Sequence, residues 1–207
     1  MPEEKSTILA VDDNPDTLEL IQAMLEDEDY HLLTASTGAK AIQTFRENRV
    51  SLVLLDIMLP DIDGYAVCKR IRKISTVPVI MVTAKDREEE EAIGLEAGAD
   101  DYITRPFTSV ILLSHIKAAL RRSLILESRV SPSPFQSHGL NIDFFRQTVT
   151  IDGKIVKLTA TESRILALLS RHSGIIVSPE EIIRNVWGVE YEDDSSILQV
   201  NISRLRN

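Results

Sequence analysis

Residues 52–64 read Leu-Val-Leu-Leu-Asp-Ile-Met-Leu-Pro-Asp-Ile-Asp-Gly. The unbroken apolar run Leu52 to Leu55 fits a strand covered on both faces, because a strand with one wet face alternates polar and apolar residues. Asp56 ends the run, and Pro60, Asp61, Asp63 and Gly64 are turn and helix-start residues. Similar runs stand at Ile8–Val11, Leu32–Leu33, Val79–Val82 and Tyr102–Ile103. Helix signals lie between them. Asn14-Pro15 caps and opens one helix, Ser36-Thr37 caps a second and Gly64 precedes a third. Glu88 to Ala97 makes a fourth, and Thr108 caps a fifth. Parallel strands need crossover helices, so five such units predict an α/β domain over residues 1–122 with a doubly wound five-stranded parallel sheet.

The pattern then changes. Residues 123–138, with Ser131-Pro-Ser-Pro134, read as an interdomain linker, although Leu124–Leu126 can extend the preceding helix. Residues 139–207 read as a smaller α+β domain. Leu140–Phe145 and Thr148–Leu158 alternate as strands, with Asp152-Gly153 as a hairpin turn. Thr159-Ala-Thr-Glu162 and Ser178-Pro-Glu-Glu181 match the S/T-x-x-E capping box, and a third helix starts near Ser195.

A chain of 207 residues has room for these two domains. One cysteine, Cys68, excludes a disulfide scaffold and a cysteine-held zinc. The acidic, polar start lacks the character of a secretory leader, and no apolar run approaches the roughly 20 residues of a membrane span. A cytoplasmic protein is expected. Net charge is −9 overall: residues 1–122 carry 14 basic against 22 acidic side chains, and the remainder 9 against 10. The first domain repels polyanions, whereas the second can approach one through a local patch.

Asp12 and Asp13 follow the first strand, Asp56 the third, Thr83 ends the fourth and Arg105 the fifth. In an open α/β sheet the carboxyl ends of the strands converge on one crevice. Any one of these acids alone would be an ordinary strand-end or cap residue. Together, three carboxylates in one crevice call for a cation, and hard oxygen ligands suit Mg²⁺. One carboxylate is then a nucleophile toward phosphorus, with Thr83 donating to a phosphoryl oxygen and Arg105 neutralising its charge.

Ala10-Val-Asp-Asp13, Leu54 to Gly64, Val79-Ile-Met-Val-Thr-Ala84 and Gly98 to Phe107 resemble a two-component response-regulator receiver, a flavodoxin-like fold. Leu158-Thr-Ala-Thr-Glu162, Val186-Trp-Gly188 and Val200 to Arg206 resemble the winged-helix effector of the OmpR/PhoB subfamily. The resemblance implies that Asp56 is the phosphoacceptor. It implies that Asp13, Asp56 and the Met58 backbone carbonyl ligate Mg²⁺, with Asp12 acting through water. Thr83 and Tyr102 would form a switch pair; read alone, Tyr102 is equally a half-exposed edge-strand aromatic. The implied partners are a sensor histidine kinase, double-stranded DNA, RNA polymerase and a second copy of the chain.

Two departures stand out. Arg105 occupies the family's lysine position, and Arg and Lys are not interchangeable. On the family's dimer face, Glu91 and Ile111 replace an ionic pair, and His115 stands where an arginine usually meets Asp101. Asp100, Lys117 and Arg122 remain as dimer-face candidates, while Glu88–Glu91 alone reads as a solvated helix face. On the last helix, Ser195, Ser196, Gln199, Asn201, Ser203, Arg204 and Arg206 are read as an exposed, DNA-facing set. Family members continue past this helix into a hairpin wing; this chain resembles a C-terminally truncated member, so weak operator binding is expected.

The leading reading is a regulator whose DNA binding is controlled by Asp phosphorylation. The alternative is a phosphorylation-independent interaction protein that keeps the receiver fold, motivated by Arg105. An aspartyl-phosphate phosphatase is disfavoured, since such enzymes carry a D-x-D motif at the first strand and Asp12-Asp13 are adjacent.

Overall fold

The computed structural model describes residues 5–84, 97–128, 134–143, 148–191 and 195–206. Two units divide the chain, Met1–Leu120 and Arg121–Asn207. In the first, β1 (Ser6–Val11), β2 (Tyr30–Ala35), β3 (Leu52–Asp56), β4 (Val79–Ala84) and β5 (Asp101–Arg105) alternate with helices. The helices are α1 (Pro15–Leu25), α2 (Gly38–Glu47), α3 (Gly64–Arg72) and α4 (Ser109–Ser128). The helix expected over Glu88 to Ala97 lies outside the described residues except for Ala97, which stands in a turn.

All neighbouring strands are parallel, in the order β2-β1-β3-β4-β5. Alternate residues of each strand face opposite layers. Leu9, Val11, Val53, Leu55, Val79 and Met81 pack with Ala41, Val67, Cys68 and Ile71 of α2 and α3. Ile8, Ala10, Leu52, Leu54 and Ile80 pack with Ile21, Leu25, Leu112 and Ile116 of α1 and α4. This two-sided burial is why the central strands carry no polar alternation.

Side chains cap the helices largely as expected. Asn14 Oδ1 accepts from Asp16 N at 2.9 Å, and Thr37 Oγ1 from Lys40 N at 3.1 Å. For α3 the cap is Asp63, whose Oδ1 accepts from Ala66 N at 2.7 Å, and Gly64 is the first helical residue.

The stretch expected as a linker needs correction. Helix α4 continues to Ser128, and Phe135–Ser137 forms a strand, β6; residues 129–133 lie outside the described set. Strands β7 (Leu140–Asp143), β8 (Thr148–Ile151) and β9 (Lys154–Val156) complete an antiparallel sheet in the order β6-β7-β8-β9. Both tight turns have positive φ at their two central residues, 45° and 85° at His138-Gly139 and 50° and 79° at Asp152-Gly153. This backbone matches the twist of a two-residue hairpin. Asp-Gly is a legible turn signal and His-Gly is not, which is why the first hairpin escapes a reading of the sequence.

Three helices follow: α5 (Ala160–Arg171), α6 (Pro179–Val186) and α7 (Ser195–Arg206), with a 3₁₀ turn at Val189–Tyr191. The Thr159–Glu162 capping box is complete: Glu162 N donates to Thr159 Oγ1 at 3.2 Å, and Thr159 N to Glu162 Oε2 at 2.7 Å. Ser178 Oγ likewise accepts from Glu181 N at 3.2 Å. Ile165, Ile183, Val186, Trp187, Ile197 and Leu198 are buried, Trp187 completely.

Candidate functional site

Strand register brings distant residues to one end of the parallel sheet. Val11 stands beside Leu55, Asp56 beside Val82, Thr83 beside Thr104 and Ala84 beside Arg105. Asp12 follows β1, its N–H bonded to Ala35 O at 3.1 Å. Asp12 and Asp56 are buried, at 1% and 5% exposure, while Asp13 is exposed. One carboxylate oxygen from each of the three lies within 4.8 Å of the others. Thr83 is buried at 3% exposure.

Arg105 Nη2 contacts Asp12 Oδ2 and stands 3.6 Å from Asp56 Oδ1. The other Asp12 oxygen accepts from Asn14 N at 2.9 Å. Burial pushes the Asp56 carboxyl up to about 6; Arg105 pulls it down, Asp12 and Asp13 push it up, and the Ile57 N–H pulls it down. Three repelling carboxylates with oxygen donors only, one of them reachable from solvent, fit a hard divalent cation such as Mg²⁺. Met58 follows Asp56 by two residues, with its side chain exposed.

The loop after β3 is held by contacts that no sequence pattern announces. Gly64 N donates to Ile57 O at 2.8 Å. A Cβ at Gly64 would stand 2.2 Å from the Asp56 carbonyl oxygen, so α3 starts against the phosphoacceptor candidate only because this residue is glycine. Asp61 reaches across to α2, accepting from Gly38 N and Ala39 N at 2.8 Å each. The Ala39 N–H first, and then the backbone N–H groups of Gly38, Ile62 and Asp61 itself, hold its carboxyl below the usual range against a smaller opposing effect of burial. No local spacing signals that contact, since the partners are 23 and 22 positions away.

The Asp56 environment carries a stability consequence. The folded carboxyl holds its proton up to about pH 6, the unfolded one to about 3.9. The native state therefore binds more protons between these values, and stability falls as pH rises through that window. Without divalent cation, Asp56→Asn should raise stability at pH 7.5 by on the order of 1–2 kcal/mol, with the gain shrinking below about pH 4. Thermal unfolding of both proteins at the two pH values checks this; an unchanged or lower midpoint at pH 7.5 contradicts it.

The dimer-face candidates separate into two kinds. Asp100 and Asp101 are buried at 1% and 0% exposure and are bound inside the chain, a correction to their expected surface role. Asp100 Oδ2 accepts from Arg72 Nη2 at 2.6 Å and from Val79 N at 3.0 Å. Asp101 Oδ2 lies 3.2 Å from His115 Nδ1. Each stands at the start of β5, where its carboxylate ties helix to sheet. Ile111 is exposed, and Lys117 Nζ is exposed and pairs with Glu28 Oε1 at 3.0 Å. Glu91 and the side chain of Arg122 lie outside the described set. Tyr102 is half-buried and packs against the core between the sheet and α2–α3. It pairs with Met81, so it shares a sheet face with Thr83 two positions on.

In α7 the exposed stripe is Ser195, Ser196, Gln199, Ser203 and Arg206. Asn201 is corrected: it is fully buried, and its Nδ2 donates to Ile197 O at 2.7 Å. Its position falls on the same face as Ile197 and Leu198, which turns it toward α5 and α6. Arg204 is also drawn inward, with Nη2 2.7 Å from Glu162 Oε1 and its side chain 18% exposed.

The model of the "Response regulator receiver domain" family matches residues 8–117, and that of "Transcriptional regulatory protein, C terminal" matches 153–207. The sensory transduction protein RegX3 of Mycobacterium tuberculosis is 36% identical over 98% of this chain and 89% of its own length. The transcriptional regulatory protein AfsQ1 of Streptomyces coelicolor is 36% identical over 97% and 87%. Among solved structures, DrrB of Thermotoga maritima, an OmpR/PhoB homologue, is 30% identical over 98% of this chain and 88% of its own, with a TM-score of 0.55.

Proposed function

Because the chain belongs to the two-component response regulators that join a receiver to an OmpR/PhoB-type DNA-binding domain, we propose that phosphorylation of Asp56 controls its sequence-specific binding to DNA. The observation that carries this reading is the placement of Asp56. It is buried at the end of a central strand, beside two further carboxylates, a buried threonine and a cation.

The phosphodonor is a phosphohistidine of a sensor kinase. The Asp56 carboxylate attacks phosphorus; its O–P bond forms as the donor N–P bond breaks, and the imidazole leaves with the electron pair. Asp13, Asp56 and the Met58 carbonyl, with Asp12 acting through water, would hold Mg²⁺, which would supply positive charge against the phosphoryl oxygens. The Thr83 hydroxyl donates to a phosphoryl oxygen and Arg105 balances its charge. Tyr102, on the same sheet face, follows Thr83.

Readout falls to α7. Ser195, Ser196, Gln199 and Arg206 meet base edges and phosphates in a major groove, while Asn201 and Arg204 hold the helix in its domain. Val110 and Ile111, both exposed on α4, offer an apolar patch to a second copy. RNA polymerase is the further partner of an activator, and the cytoplasm is where kinase output and DNA meet.

Incubation with acetyl phosphate and Mg²⁺, read by intact mass, tests the reading. One phosphoryl group should appear on the native chain and none on Asp56→Asn. Labelling that persists in Asp56→Asn, or no labelling of the native chain, overturns it.

A further inference from the structure

The acidic crevice already contains a positive charge. Arg105 leaves the end of β5 and reaches the carboxylate that follows β1, across the ends of β4 and β3. Both Asp12 oxygens are engaged, Oδ1 by Asn14 N and Oδ2 by Arg105 Nη2. The same guanidinium nitrogen lies 3.6 Å from Asp56 Oδ1. Two of the three carboxylates of the metal-binding candidate therefore share one cation, and the third, Asp13, is exposed to solvent. Arg105 Nε is buried with no hydrogen-bond partner among the described residues, and the side chain is 31% exposed. The guanidinium thus meets the carboxylates through Nη2 while part of the side chain faces solvent.

We propose that Arg105 is a resident counter-ion that competes with the divalent cation, so that metal entry requires its guanidinium to release Asp12 or Asp56. The proposal rests on the reading of Asp12, Asp13 and Asp56 as one site. A guanidinium cannot lose its proton in a protein, so the competition does not lapse with rising pH. One guanidinium nitrogen, Nη2, serves both carboxylates, and a lysine at this position would carry the same charge on a compact, more strongly hydrated ammonium.

The test measures Mn²⁺ binding to the unphosphorylated full chain by the electron paramagnetic resonance of free Mn²⁺, with Mg²⁺ as competitor. Deleting a unit charge at contact range should tighten binding by about tenfold in Arg105→Gln at low salt. Arg105→Lys should lie between the two, and added salt should narrow the gap. Equal or weaker binding in Arg105→Gln, with binding still lost in Asp56→Asn, overturns the proposal and leaves the phosphoacceptor reading standing. Binding that is indifferent to Asp56 in every variant overturns both. The native chain supplies a second measurement that needs no substitution. The Arg105 Nε–H nuclear magnetic resonance signal should move over the same Mg²⁺ titration that perturbs Asp56. A signal that stays fixed through that titration overturns the competition.

Discussion

Arg72→Ala should lower the stability of the receiver by about 3–5 kcal/mol. Every nitrogen of this guanidinium is used. Nε donates to Gly98 O at 2.7 Å, Nη1 to Val77 O at 2.5 Å and Nη2 to Asp100 Oδ2 at 2.6 Å. The Arg72 side chain is 12% exposed and that of Asp100 1%. Truncation leaves a carboxylate with almost no water and frees two carbonyls that close the edges around β4 and β5. Removing one partner of a buried pair is costlier than never having built the pair, because the remaining charge stays desolvated. Urea unfolding of Arg72→Ala, Asp100→Asn and the double variant measures this. Neutralising Asp100 in the Arg72→Ala background should recover part of the loss. A loss under about 1 kcal/mol in Arg72→Ala would show that water reaches Asp100 freely.

Glu162→Ala should cost the C-terminal domain about 2–4 kcal/mol, the sum of a lost cap and a lost charged hydrogen bond. One carboxylate serves two ends: Oε2 accepts from Thr159 N, closing the capping box of α5, and Oε1 meets Arg204 of α7 at 2.7 Å. Glu162 is 6% exposed, so both contacts are sheltered from water. Trp187 is the only tryptophan in the chain and is fully buried in this domain, so its fluorescence reports unfolding here alone. Glu162→Ala should shift that transition further than Arg204→Ala, which leaves the capping box intact. The reverse order would mean that the capping box contributes little and that Arg204 acts through other contacts. Glu162→Gln separates the two contributions, since the amide can still accept from Thr159 N but carries no charge toward Arg204.

Much of the architecture is legible in the order of the residues, and particular ones show why. Leu52–Leu55 and Val79–Val82 are apolar on consecutive positions because helices cover both faces of the sheet. Asn14-Pro15, Thr159–Glu162 and Asp152-Gly153 act within a few residues of chain, so their geometry is local. The convergence of Asp12, Asp13, Asp56, Thr83 and Arg105 follows from one topological rule, that parallel strands end together.

Where sequence and structure differ, the differences have a common form. Asp100 and Asp101 are charged and expected at the surface, but Arg72 and His115 take them inward. Asn201 and Arg204 are polar residues on a helix whose polar face is expected to meet DNA, yet one is buried and the other pairs with Glu162. The preference of charged and amide side chains for solvent is statistical, and a partner from another element reverses it.

The sequence by itself determined most strands and helices, though not β6, and also which strand ends carry the acids and that the central strands are buried on both faces. These properties depend on periodicity and on neighbours a few positions apart, which a linear chain records directly. Only the tertiary structure decided which cations meet which acids. Arg72 and Asp100 are separated by 28 positions, and Arg105 and Asp12 by 93. A pair so far apart leaves no periodic trace, and whether either member is desolvated depends on the packing around both. The chain specifies the charges in order, and the fold chooses their partners.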